Sequence, residues 1–106
     1  MARYKFGERS QEQIDAALKA AGEARKEQAL LLARVKNGTV SISDLLSDAF
    51  EHDRAAQRVH VRTVLAATGM SYPRVDRLME EIGIAPRRRI GGLGARQKSE
   101  LLEKMA

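Results

Sequence analysis

Thr68-Gly69-Met70-Ser71-Tyr72-Pro73-Arg74-Val75 is the stretch on which the fold turns. Glycine supplies the freedom for a tight turn, and proline suits a helix's first turn, where its missing amide proton would have had no partner. Val75, Leu78, Met79 and Ile82 then recur at three- and four-residue spacing until Gly83 stops the run, which predicts a helix over Pro73–Ile82. Two helices joined this way can serve three ends. In a helix-turn-helix the second helix would enter a major groove, with Ser71, Tyr72, Arg74 and Arg77 as base readers. In a helix-hairpin-helix the backbone amides of Gly69, Met70, Ser71 and Tyr72 would hold a phosphate and read no base. In the plainest case the two helices only pack.

Downstream, Ile84-Ala85-Pro86-Arg87-Arg88-Arg89-Ile90-Gly91-Gly92-Leu93-Gly94-Ala95-Arg96 sets three arginines between a proline and a glycine-rich turn that opens onto a last helical segment. Arginine's planar fork stays charged and binds phosphate bidentately, and glycines let backbone amides approach an anion closely. A solvated basic loop has the same composition. Ala95 to Met105 closes the chain as a helix, with Leu101, Leu102 and Met105 facing the core.

Upstream of the turn, Ser10-Gln11-Glu12-Gln13 fits a capping box, and no proline interrupts the chain before Asn37-Gly38. One long helix over 11–37 is expected. Leu30, Leu31, Leu32 and Val35 can dock its second half, while the alanine-rich, charged first half either projects from the body or folds loosely against it. Residues 1–10 read as a flexible basic arm, with Tyr4 and Phe6 between Arg3, Lys5 and Arg9. Ser41-Ile42-Ser43-Asp44 starts a short helix capped by Ser43, with Leu45, Leu46, Ala49 and Phe50 inward. Ala55 to Ala67 is helical, with an interruption near His60. No stretch alternates apolar and polar residues over strand length, so the expected fold is all-α. A long N-terminal helix precedes a helical globule over 38–106.

At 106 residues the chain suits one domain. Its formal charge of +5 is unevenly placed: residues 54–106 carry eleven cations against five acids, and residues 1–53 eight against nine. Any polyanion-binding surface therefore belongs mainly to the second half. Arg25, Lys26, Arg34 and Lys36 are further cations within reach of a ligand phosphate, although Glu23 and Glu27 partly offset them. Cysteine is absent, which removes disulfides, thiol catalysis and cysteine zinc sites. The acidic group Asp44, Asp48, Glu51, His52 and Asp53 matches neither a calcium-loop nor a paired-histidine spacing. Gly91-Gly92-Leu93-Gly94 fails both the dinucleotide and the phosphate-loop patterns. No metal, cofactor or catalytic residue is expected. The longest apolar run, Ala29 to Ala33, is too short for a bilayer, and a cytoplasmic protein without membrane contact is expected.

Several segments together resemble one family. Arg34-Val-Lys-Asn-Gly38 leads into Ser43-Asp-Leu-Leu46. The hairpin Thr68 to Val75 is followed by Arg77-Leu-Met-Glu-Glu-Ile-Gly-Ile-Ala-Pro86, then by Arg88-Arg89, Gly92-Leu-Gly94 and Arg96-Gln97. The pattern is similar to the actinobacterial (mycobacterial-type) integration host factors over nearly the whole chain from Ser10. The resemblance implies a small nucleoid-associated protein with a helix-two-turns-helix or helix-hairpin-helix element, and a monomer is expected. It would bind duplex DNA with little sequence preference, bend or compact it, and in some members assist a phage integrase. It implicates Gly69, Met70, Ser71, Tyr72 and Arg74, together with Arg88, Arg89, Gly92, Leu93, Gly94 and Arg96. The chain departs from the family where Gly91 replaces an arginine, Ser71 a glycine and Pro73 a smaller or β-branched residue, and Arg87 stands in for the lost charge. Two other readings stay open: a sequence-specific helix-turn-helix regulator, and a protein-interaction module whose basic face is incidental.

Overall fold

The computed structural model describes residues 10–105. Among these, six α-helices account for the architecture: α1 (Gln11–Lys36), α2 (Ile42–Leu45), α3 (Arg54–Arg58), α4 (Val61–Ala67), α5 (Tyr72–Ile82) and α6 (Ala95–Met105). No β-strand occurs among them; one isolated antiparallel bridge joins His60 to Arg89. The all-α expectation is met. The basic arm expected at the N-terminus lies outside the described residues.

Local chemistry sets most boundaries. Ser10 and Gln13 exchange the two bonds of a capping box, both at 3.1 Å, and start α1. Asn37 caps its far end, with Gly38 at φ 85° just beyond. The α2 start corrects the sequence reading. Ser41, not Ser43, is the cap, because its extended backbone lets its hydroxyl accept from the Asp44 amide while the Asp44 carboxylate accepts from the Ser41 amide. Ser47 then ends the helical run. Its hydroxyl donates to the Asp44 carbonyl at 2.6 Å and accepts from the Ala49 amide, which diverts the chain into a 3-10 turn over Asp48–Phe50. Ala49 is consequently exposed and not the inward residue expected, while Leu46 and Phe50 are half-buried and pack against the core. Asp53 caps α3, so Asp44 and Asp53 of the acidic group serve helix starts.

The expected interruption near His60 separates α3 from α4. Val59 and His60 are extended there, and His60 sits at the core edge. Gly83 ends α5 at φ 86°, a left-handed position that an L side chain rarely adopts.

The core gathers Leu31 and Val35 of α1, Leu45, Ala56, Val59, Val61, Val64, Leu65, Val75, Met79, Ile82, Ile84, Ile90, Leu93 and Leu101. α1 supplies only its second half to this cluster, through two buried residues, while Leu18 and Leu30 stay 64% and 66% exposed. At 1.5 Å per residue its 26 residues span about 39 Å. The molecule measures 55 × 29 × 26 Å, so the first half of α1 projects, one of the two expected arrangements. Among the described residues, no helix is long and apolar enough to cross a membrane.

This division of α1 has a measurable consequence. Leu31→Ala should cost about 2–5 kcal/mol in chemical denaturation, as for other buried leucines. Leu18→Ala should change stability by less than about 0.5 kcal/mol.

Candidate nucleic-acid interface

The turn between α4 and α5 offers unspent donors. Thr68 and Gly69 use their amides to close α4 on the carbonyls of Val64, Leu65 and Ala66. Beyond them, the amides of Met70, Ser71, Tyr72 and Arg74 have no acceptor among the described residues, and the Ser71 hydroxyl does not cap α5. Pro73 has no amide proton to leave unpaired. The donors therefore gather at the positive end of the α5 dipole, where an anion is favoured.

Arg62 of α4 braces this turn. Its Nε donates to Asp76 Oδ1 at 2.7 Å and its Nη2 to Oδ2 at 3.3 Å, while its guanidinium carbon lies 4.2 Å from the centre of the Tyr72 ring. The hydrogen bond to Arg62 holds the Asp76 carboxyl below its usual range, and the same bond raises the Arg62 guanidinium. The only carboxylate on the first two turns of α5 is thus engaged, and the Tyr72 ring is held with about half its surface exposed.

A groove of about 800 Å³ leads away from this brace. Arg62, Pro73, Asp76, Arg77, Met79 and Glu80 line it together with Ile84, Pro86 and Arg87. It continues into an open surface lined by Arg58, Arg87, Arg88 and Arg89 with Gln57, Gly91 and Gly92, and no carboxylate lies among the lining residues of that surface.

Backbone pairing holds the arginine segment there. The Val61 amide donates to the Arg88 carbonyl at 3.0 Å and the Ile90 amide to the Val59 carbonyl at 2.9 Å. Val59, Val61 and Ile90 point into the core, while Arg88 and Arg89 stay exposed. Gly91 makes the approach possible: a Cβ there would stand 2.9 Å from the Gln57 carbonyl oxygen and 2.9 Å from its Oε1. At Gly92 a Cβ would meet Arg88 Cδ at 3.0 Å, and Arg88 Nη1 donates to the Gly92 carbonyl at 3.0 Å. Gly92 therefore seats the Arg88 stem.

The glycine turn does not work as the sequence suggests. The Gly92 amide donates to Arg89, that of Leu93 to Ile90, and that of Gly94 to the Gln97 side chain; Leu93 itself is buried. None of the three is free for an anion. Gln97 also donates to the Gly83 carbonyl at 3.0 Å and so ties the start of α6 to the end of α5. Among the described residues, the amide of Gly91 and those of Ala95, Arg96 and Gln97 in the first turn of α6 have no acceptor on this side. Arg96 is exposed and pairs with Glu100 one turn on.

The structure thus brings Tyr72, Arg87, Arg88, Arg89 and Gly92 onto one run of surface and adds Arg58, Arg62 and Gln57, which sequence reasoning missed. Arg58 and Arg62 flank the helix break at His60, and only the pairing of that break with Arg88–Ile90 shows where they lie. Arg74 faces the other flank of α5, beside Met70 and Lys104. Lys36 lies apart, near Val40 and Thr68.

Comparison with known proteins gives consistent matches. Residues 35–105 match the family model of the S13-like H2TH domain. Integration host factor of Mycobacterium tuberculosis is 39% identical over 94 residues, which cover 88% of this chain and 89% of the relative. Integration host factor of Streptomyces coelicolor is 31% identical over 90 residues, covering 85% and 84%. A solved structure of sIHF bound to an 8 bp palindromic DNA superposes with a TM-score of 0.76 at 26% identity, covering 83% of this chain and 99% of that one.

Two consequences follow from the geometry. Gly91→Ala should lower stability by about 1–3 kcal/mol, because the clash is with backbone as well as side chain; thermal denaturation reads it. Arg62→Gln should raise the Asp76 carboxyl toward its ordinary range, read by carboxyl-carbon NMR. In the parent chain the pair's contribution is complete above the unfolded carboxylate value of about 3.9. It is lost as the pH falls through the lower value of the folded chain.

Proposed function

Because the chain belongs to the integration host factor family, we propose that it is a nucleoid protein that binds duplex DNA through the phosphate backbone, with little sequence preference. The reading is carried by one observation: a turn with four unspent amides is joined, by a groove lined with Arg62, Arg77 and Arg87 beside Asp76 and Glu80, to an open surface bearing four arginines and no carboxylate. Phosphates demand such a surface, and bases do not. The amides of Met70, Ser71, Tyr72 and Arg74 fix one phosphodiester, while Arg87, Arg88 and Arg89 with Arg58 engage the backbone farther along the groove. Arg62 and Gly92 contribute by position, one bracing Tyr72 and the other seating Arg88.

The family name and the DNA-bound relative support duplex DNA as the partner. On this reading the protein works as a monomer in the cytoplasm, without catalysis. Its DNA-binding region is the helical globule that follows α1. Gripping two separated stretches of backbone while neutralising the charge between them favours a bend toward the protein, and a bent duplex is what a recombinase such as a phage integrase would be offered.

Six arginines, Arg58, Arg74, Arg77, Arg87, Arg88 and Arg89, are the candidates for phosphate neutralisation. With about six contacts, log K should fall with log salt at a slope near −5, and Arg88→Ala with Arg89→Ala should make it shallower by about 2. Fluorescence anisotropy on one random and one AT-rich duplex across a salt series reads both. Affinities within about tenfold for the two duplexes are expected. A large preference for one site, lost selectively in the double variant, would instead make α5 a recognition helix. Salt-indifferent binding would leave a protein-interaction module.

A further inference from the structure

The flank of α5 turned away from Arg62 and Pro86 carries a different chemistry. Met70, Leu78 and Met105 floor a groove of about 520 Å³, with Arg74, Arg77 and Lys104 around it. Met105 also lines a neighbouring groove of about 560 Å³, whose apolar lining includes Val35, Val40, Ile42 and Leu102. Met70, Leu78, Leu102 and Met105 rest against the core and are each only half-buried, so their outer faces form a continuous apolar floor. The one carboxylate in the first groove, Glu81, lies 3.5 Å from Lys104 Nζ, while Arg74 and Arg77 have no carboxylate partner among the described residues.

We propose that this groove docks an acidic amphipathic helix of a partner protein. Its apolar ridge would lie on Met70, Leu78 and Met105, and its carboxylates would meet Arg74, Arg77 and Lys104. Phosphate backbone gains nothing from a floor of thioethers and methyls, whereas a leucine ridge buries it. Methionine suits the task because its unbranched, polarisable chain adapts to different apolar shapes. The cationic rim selects for acidic flanks and against basic ones. The walls, α5 and α6, have 11 residues each, about 16 Å, enough for three turns of a docked helix with anchors at i, i+3 or i+4, and i+7. The docking site lies on the other flank of α5 from the groove toward Arg87 and shares Met70, Arg74 and Arg77 with the DNA reading.

The test uses the full chain with its methionine methyls labelled by carbon-13. The probe is a synthetic 16-residue helical peptide with a leucine ridge and glutamate flanks, and the control carries lysine in place of every glutamate. Saturable shifts at Met70 and Met105 are expected with the acidic peptide and not with the control, while Met79, which is buried, stays in place. Lys104→Glu and Met105→Glu should each weaken the peptide about tenfold. Lys104→Glu keeps the test decisive if Met105→Glu disturbs α6. No saturable shift, equal binding of the lysine peptide, or insensitivity to both variants overturns the proposal. So does concentration-dependent light scattering of the protein alone that Lys104→Glu abolishes, because the groove would then belong to a second copy of the chain.

Discussion

The pairing of Val59–Val61 with Arg88–Ile90 is the constraint on which the basic surface depends. It consists of two backbone hydrogen bonds, at 2.9 and 3.0 Å, between a helix break and a loop nearly thirty residues away. Extended backbone alternates its side chains between two faces. Burying Val59, Val61 and Ile90 therefore sends Arg89 outward, while Arg88 is kept at the surface by its bond to the Gly92 carbonyl. The driving force is apolar burial at three core positions, and the display of charge is its geometric by-product. Arginines on a loop this long would otherwise lose much conformational entropy on meeting a ligand. Here the backbone is ordered in advance, and only the side-chain ends remain to settle.

The same pairing explains why glycine sits where it does. Gly91 and Gly92 have no positive φ, so their value is space: one admits the Gln57 backbone and the other the Arg88 stem. A glycine-rich turn beside arginines invites the view that its amides bind an anion, yet those of Gly92, Leu93 and Gly94 are spent inside the protein and, among the described residues, only that of Gly91 is left without an acceptor in the turn. The turn that does keep its amides has one glycine. Gly69 supplies φ 106°, and the three residues after it, with Arg74, hold the free donors. Glycine content is thus a poor guide to anion sites, because close packing and turn geometry call for the same residue.

What the sequence made legible was local. The Ser10 and Gln13 box, the stop at Gly83 and the break near His60 each depend on residues within a turn of one another, and each appears where the pattern puts it. The α2 cap was misread within the same range, since Ser41 and Ser43 both offer a hydroxyl and only the backbone at Ser41 is extended. What stayed illegible was distant. The Arg62 contact with Asp76 and Tyr72 spans a turn whose exact angle decides it, and the placement of Arg58 beside Arg88 depends on a pairing with no strand-length signature. The family resemblance supplied neither contact.

α5 shows how a single helix can separate two chemistries. Val75, Met79 and Ile82 anchor one face in the core, which leaves two flanks exposed at fixed angles. Along the first, Pro73, Asp76 and Arg77 border the groove toward Arg87, where Asp76 is paired with Arg62 and Glu80 is a second lining acid. Along the second, Arg74 and Leu78 border a methionine floor that a polyanion would leave unused. Arg77 lines both grooves. Any ligand that draws its side chain to one flank lowers the positive charge available on the other. If both grooves are filled, their occupants are therefore coupled through that side chain, and by linkage the coupling is equal in both directions.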